Sequence, residues 1–260
     1  DGTNYHGWQR QLNSHSVQEE IESALRKLLR QEKVITVGCG RTDTGVHARD
    51  FYLHFNAEKP ITDKAEILFK LNLMLPKDIG LFGLWQVADL THARFNANER
   101  SYEYHIHQRR DPFIERFSTF YPWPLDIERM NEAAAMLLPY KDFAAFCKFR
   151  EGATTIRTLE TFHWERKADG LLVAQVVADA FCYSMVRNLV GSAVCVAEGR
   201  FEPSWIAAML ANRERISDSM VFPAEGLTLV QVDYPNNAEL ITRAALTISR
   251  RNEDSETMSN

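Results

Sequence analysis

Two hydrophobic periods alternate along the chain. Val17, Ile21, Leu25 and Leu28 recur at helical spacing behind Ser16-Val17-Gln18-Glu19, whose Ser and Glu are spaced as a capping box. The pattern predicts a helix from about Ser16 to Arg30 with a charged outer face. Val34 to Cys39 then reads as a buried strand, and Phe51, Leu53 and Phe55 alternate with Tyr52, His54 and Asn56 as a second, which leaves Asp43 in the connection between them. Lys64 to Met74 reads as a helix that stops before Pro76, since proline disfavours helical geometry in the residue ahead of it. Strands are expected around Ile79 to Val87 and Ser101 to His107.

A second series of elements begins near Tyr121-Pro122-Trp123-Pro124. Asp126 caps a helix carrying Ile127, Met130, Ala134 and Leu137 on one face, and strands at Arg157 to Glu165 and Leu171 to Val177 flank the turn Ala168-Asp169-Gly170. An apolar helix from Phe181 to Ala197, a short helix opening at Pro203 and a last strand, Leu227 to Tyr234, complete the pattern. Helices and strands mix in a similar order twice, which predicts an α+β protein of two related halves, residues 1–120 and 121–235, with 236–260 as a poorly anchored extension.

Composition narrows the class. A chain of 260 residues, 45% hydrophobic and 25% charged, folds around one large core or two smaller ones. Ala178 to Ala197 is long enough to raise a membrane span, but it contains Asp179, Arg187 and Asn188, and a mid-bilayer arginine costs about 3 kcal/mol even on lenient scales, so a buried helix is expected. The net charge of −5 argues against a surface coated with positive charge for indiscriminate nucleic-acid binding, while Arg94, Arg100, Arg109, Arg110 and Arg116 leave room for a local basic cleft. Cys39, Cys147, Cys182 and Cys195 form no C-x-x-C pair and are expected as thiols of a reducing cytoplasm. Asp1-Gly2-Thr3-Asn4 has neither the basic start nor the apolar stretch of a secretory signal, and the missing initiator Met implies that upstream residues were removed.

The candidate chemistry sits in Gly40-Arg41-Thr42-Asp43-Thr44-Gly45-Val46-His47-Ala48, a glycine-flanked loop between apolar strands. Rigid strands are where catalytic loops are mounted; glycines allow close approach by a substrate, and Arg41 is suited to hold the Asp43 carboxylate charged and oriented. Taken alone, the same segment also suits a turn with a surface ion pair worth about 0 to 1 kcal/mol. Arg187 inside an apolar helix needs a buried partner, and Asp43 is the expected one. Tyr102 alternates with Tyr104, which equally suits an aromatic of the core. His105 and His107 share a strand face without a third ligand nearby, so no metal is expected.

Beyond these residues, the loop and its surroundings resemble the TruA family of tRNA pseudouridine synthases. The resemblance runs through Asp1-Gly2-Thr3-Asn4-Tyr5-His6-Gly7-Trp8-Gln9-Arg10-Gln11, Leu71-Asn72-Leu73-Met74-Leu75-Pro76, His92-Ala93-Arg94-Phe95, Arg100-Ser101-Tyr102-Glu103-Tyr104, Met185-Val186-Arg187-Asn188-Leu189-Val190-Gly191 and Glu225-Gly226-Leu227. The opening segment resembles the stretch just after that family's first strand, so that strand is expected to be absent. The resemblance implies mainly antiparallel sheets meeting at a central cleft, the pseudouridine synthase fold. It implies Asp43 as the catalytic aspartate, Arg187 as its partner, Tyr102 against the target uracil and Leu227 lining the same pocket. It further implies no cofactor, a homodimer, and uridines at positions 38 to 40 of the tRNA anticodon stem-loop as targets. Arg94, Arg100, Arg109 and Arg110 are then candidates for RNA phosphate contacts.

Two other readings compete. Asp43-Thr44-Gly45 matches the tripeptide of aspartic proteases, whose chemistry needs two carboxylates sharing a proton; this sequence holds one such tripeptide, so a dimer is required, and Arg41 opposes proton sharing. A non-catalytic RNA-binding module on the same fold is the other.

Overall fold

The first helix forms where the pattern puts it. In α1 (Val17–Leu29) the Ser16 side chain accepts from the Glu19 amide, and the chain leaves through Arg30 in the left-handed conformation. Ile21, Ala24 and Leu25 pack with Tyr5, Trp8, Val34 and Leu71 into a small core shared with α2 (Lys64–Met74), which Asp63 caps. Glu22 is buried in the same helix, and its charge is satisfied rather than stranded: Oε1 accepts from the Thr36 amide at 2.9 Å and Gln18 Nε2 at 3.0 Å, while Arg10 pairs with Oε2 at 2.8 Å. The computed structural model describes residues 1–147, 154–211 and 221–236. The expected extension from residue 236 onward lies, apart from Asn236, outside them.

The strands around the glycine-flanked loop are shorter than expected and part company. β1 (Val37–Gly38) and β3 (Leu53–His54) pair antiparallel as a sheet of their own. Between them β2 (His47–Ala48) joins the other sheet instead, running parallel to β8 (Leu227–Asp233) with His47 opposite Thr228. That sheet also holds β4 (Glu99–His107), β5 (Thr119–Phe120), β6 (Leu159–Arg166) and β7 (Leu172–Ala178), in the order β2-β8-β4-β7-β6 with β5 beside β4. β4 therefore lies between two strands from beyond residue 121, and its ladders cross the boundary expected between the halves. Along β4, Arg100, Tyr102, Tyr104 and Ile106 point into the core while Ser101, Glu103 and His105 are half-buried. The architecture is α+β with mixed sheets in which antiparallel pairing predominates.

α3 (Ile127–Leu137), capped by Asp126, packs on β6, on α4 (Met185–Ala197) and on α5 (Ser204–Ala211). Arg187 is the only α4 position that is not buried. Among the described residues no helix is long and apolar enough to cross a membrane.

Two expectations are corrected. Residues 79–87 form no strand, and Phe82, Trp85 and Val87 are exposed. The Asn72 side chain takes up the backbone of Leu81, accepting from its amide at 2.7 Å and donating to its carbonyl at 2.8 Å, so a side chain occupies the groups a strand neighbour would use. Cys147 and Cys182, expected as separate thiols, are paired as a disulfide, because the β6–β7 hairpin returns the chain to within 5.7 Å between their Cα atoms. Cys39 and Cys195 remain buried thiols.

Candidate active site

The loop carrying Asp43 is held from beneath by the first residues of the chain. Trp8 donates its amide to Thr42 O, Gly45 donates to Tyr5 O at 3.2 Å, and the Gly2 amide donates to His47 Nδ1 at 3.0 Å. This contact requires Gly7: its φ is +80°, and a Cβ there would lie 2.2 Å from Thr42 O. Gly45 turns the loop at φ +79°. His47 serves as an acceptor inside the protein, and burial lowers its pKa.

Within this frame Asp43 meets α4. Its Oδ2 accepts from Ser184 Oγ at 3.0 Å and from Arg187 Nη1 at 3.3 Å. The ion pair is largely enclosed, with side-chain exposures of 14% for Asp43 and 19% for Arg187, so screening by water is weak. Arg187 is fixed from behind as well, donating Nε to Phe222 O at 2.6 Å while its own carbonyl accepts from the Phe222 amide.

The expected partnership of Asp43 with Arg187 is thus present, and the Ser184 hydroxyl joins it on the same oxygen. Arg41, two residues from Asp43, lines a groove of about 350 Å³ next to the loop, together with Trp8, Arg10, Thr36, Gly40 and Arg94. Tyr102 is buried with its ring edge-on to Phe181 at 5.1 Å, opposite Leu229 across the sheet. Burial is the main cause that raises its pKa, and the Asp43 charge is a smaller one in the same direction. Leu227 is also buried but lies opposite Tyr104, one inward position further along β4. Tyr104 itself is tied to Thr119 Oγ1 and Pro223 O.

The four arginines expected on phosphates separate. Arg100 is corrected to a structural residue: it is buried, and its guanidinium donates to the carbonyls of Ala97, Asp179, Cys39 and Arg94. Arg94 lines the groove, whereas Arg109 and Arg110 are exposed, Arg110 pairing with Glu115 and lying over the Phe120 ring. His105 bonds Glu103 and His107 bonds Ser118.

Ser184 was missed because the apolar run suggested a helix starting at Phe181, which puts Ser184 inside it. The helix starts at Met185, so Ser184 is the residue ahead of it, three positions from Arg187 and on the same face.

Comparison with known proteins supplies the class. Residues 133–235 match the family model described as tRNA pseudouridine synthase. The tRNA pseudouridine synthase A of Streptomyces griseus is 42% identical over 256 residues, covering 94% of this chain and 89% of the relative. The protein of the same name from Frankia casuarinae is 43% identical, covering 95% of this chain and 91% of its own length. That from Parabacteroides distasonis is 38% identical, with 90% and 93% covered. The chain belongs to the tRNA pseudouridine synthase A family.

Proposed function

We propose that this chain converts uridine to pseudouridine within tRNA and that Asp43 is the carboxylate that carries the reaction. The observation supporting this most directly is the enclosed pair between Asp43 on its glycine-flanked loop and Arg187 on α4, 3.3 Å apart. The reaction breaks the bond from ribose C1′ to uracil N1 and forms one from C1′ to C5, with a proton leaving C5 and one returned to the base, so no redox partner is required. An aspartate charged at neutral pH can attack the sugar or take a proton beside it. Arg187 orients that charge and offsets its partial desolvation.

A target uridine at positions 38 to 40 of the anticodon stem-loop is stacked, and extruding it costs a few kcal/mol. The groove lined by Arg41, Arg94 and Trp8 beside the loop suits the sugar–phosphate chain and unstacked bases flanking such a nucleotide. Tyr102 forms a wall of the uracil pocket, and Leu227 supports it through Tyr104. We propose further that the two parts of the chain meet in a cleft at this loop and that the protein works as a cytoplasmic homodimer without a cofactor. The aspartic-protease reading fits poorly, since a carboxylate paired with an arginine resists sharing a proton.

The test is to incubate the protein with unmodified tRNA transcripts and map pseudouridine along them. We expect it at positions 38 to 40; transcripts that stay unmodified, or are modified only in another arm, contradict the reading.

A further inference from the structure

We propose that Ser184 is a positioning residue for Asp43, its hydroxyl acting with Arg187 to hold Oδ2 so that Oδ1 is the oxygen presented to the substrate. This rests on Asp43 being the reacting carboxylate.

Three helices of this chain begin with a polar residue that caps them in the ordinary way. Ser16, Asp63 and Asp126 are extended, and each side chain accepts from an amide of the first turn. Ser184 stands at the same place ahead of α4 and does neither: its side chain makes no capping bond, and its backbone is left-handed, at φ 58° and ψ 12°. That conformation is unfavourable for a residue with a Cβ; the Ser184 carbonyl accepts from the Asn188 amide at 3.0 Å, as it would in an ordinary cap, so the left-handed backbone adds no bond to the helix through the side chain. What it achieves is direction, since the hydroxyl donates to Asp43 Oδ2 at 3.0 Å.

The second donor comes from one turn further on, where Arg187 reaches the same oxygen. Two donors on one carboxylate oxygen fix both its position and its rotation. Among the described residues no hydrogen bond reaches Oδ1, which is therefore the oxygen left for chemistry. The start of α4 also favours an anion, because the first-turn amides carry the positive end of the helix dipole. Ser184 is itself held on its N-terminal side, where Phe181 packs edge-on to Tyr102 and Cys182 is tied to Cys147.

The left-handed backbone makes the test selective. Ser184→Gly removes the hydroxyl while relieving the backbone, whereas Ser184→Ala removes it and keeps the backbone cost. Steady-state turnover of a tRNA transcript and thermal unfolding would be measured for both variants, for Asp43→Asn and for the unaltered protein. We expect both Ser184 variants to lose kcat about tenfold with KM within about twofold, the Gly variant unfolding no earlier than the unaltered protein. Activity would then follow the hydroxyl and not the stability. Unchanged kcat in Ser184→Gly, with Asp43→Asn inactive, overturns the role of Ser184 alone. Turnover by Asp43→Asn overturns the reading on which that role depends.

Discussion

Asp43 and Arg187 are 144 residues apart in sequence and meet through Oδ2 and Nη1 at 3.3 Å. The pair joins the loop between β1 and β2 to the first turn of α4, and Arg187 reaches on to the Phe222 carbonyl. One guanidinium thus ties together three separate stretches of chain. Arg187→Lys keeps the charge but loses the two separately placed nitrogens, Nε and Nη1, through which the guanidinium meets its two acceptors. We expect it to lower kcat at least tenfold and to cost about 2 kcal/mol of stability in urea unfolding, in line with losing a hydrogen bond to a charged group.

The contact of Gly7 with the catalytic loop has no space for a side chain. Gly7→Ala places a Cβ against Thr42 O at a backbone angle that L-residues avoid. A loss of about 2 kcal/mol is expected together with a fall in kcat, because the displaced backbone is that of Asp43's own loop. Gly40→Ala has no atom within 4 Å of the added Cβ and should leave unfolding unchanged. The two midpoints compared in one denaturant series check this.

Burial lowers the pKa of His47, His54 and His107 in the folded protein. For each, the unfolded chain binds more protons between the lowered value and the ordinary one near 6.5, so stability rises with pH across that window. The contribution is complete above the unfolded value and is lost as the pH falls through the folded one. Urea unfolding at pH 7.5 and pH 5.5 should show lower stability at pH 5.5. His47→Gln should reduce that difference, and an equal difference in the variant contradicts the assignment to His47.

The arginines should divide by what they touch. Arg100→Ala leaves four carbonyls, two of them in buried hydrogen bonds and two in part-buried ones, without this donor and should destabilise the protein by about 3 kcal/mol. Arg109→Ala should leave unfolding unchanged, weaken tRNA binding and reduce the slope of log affinity against log salt by about 1, the signature of one lost phosphate contact. Binding isotherms at several salt concentrations, beside thermal unfolding, separate the two behaviours.

Much of this was legible in the residues themselves. The end of α2 follows from Pro76, and the cap of α3 from Asp126, because caps and proline act locally. Arg187 announced a buried partner because its charge lies in an apolar helix. What escaped the sequence depends on tertiary contacts. β2 is two residues long, too short for a period, and exists because β8 lies beside it. Residues 79–87 are rich in the apolar residues of a strand, yet Asn72 takes the backbone that a neighbour would pair with. Arg100 looked like a phosphate ligand because a sequence cannot show four carbonyls converging on one guanidinium. Ser184 was hidden by a helix start placed four residues early.

The central claim is that the Asp43 carboxylate performs the isomerisation. Asp43→Asn changes one oxygen to an amide nitrogen and keeps the shape of the side chain, so it isolates the charge. Under single-turnover conditions with an unmodified tRNA transcript, we expect the unaltered protein to form pseudouridine and the variant to form none while binding the RNA within a few-fold of the original affinity. Pseudouridine produced by the Asn variant at a comparable rate would contradict the account.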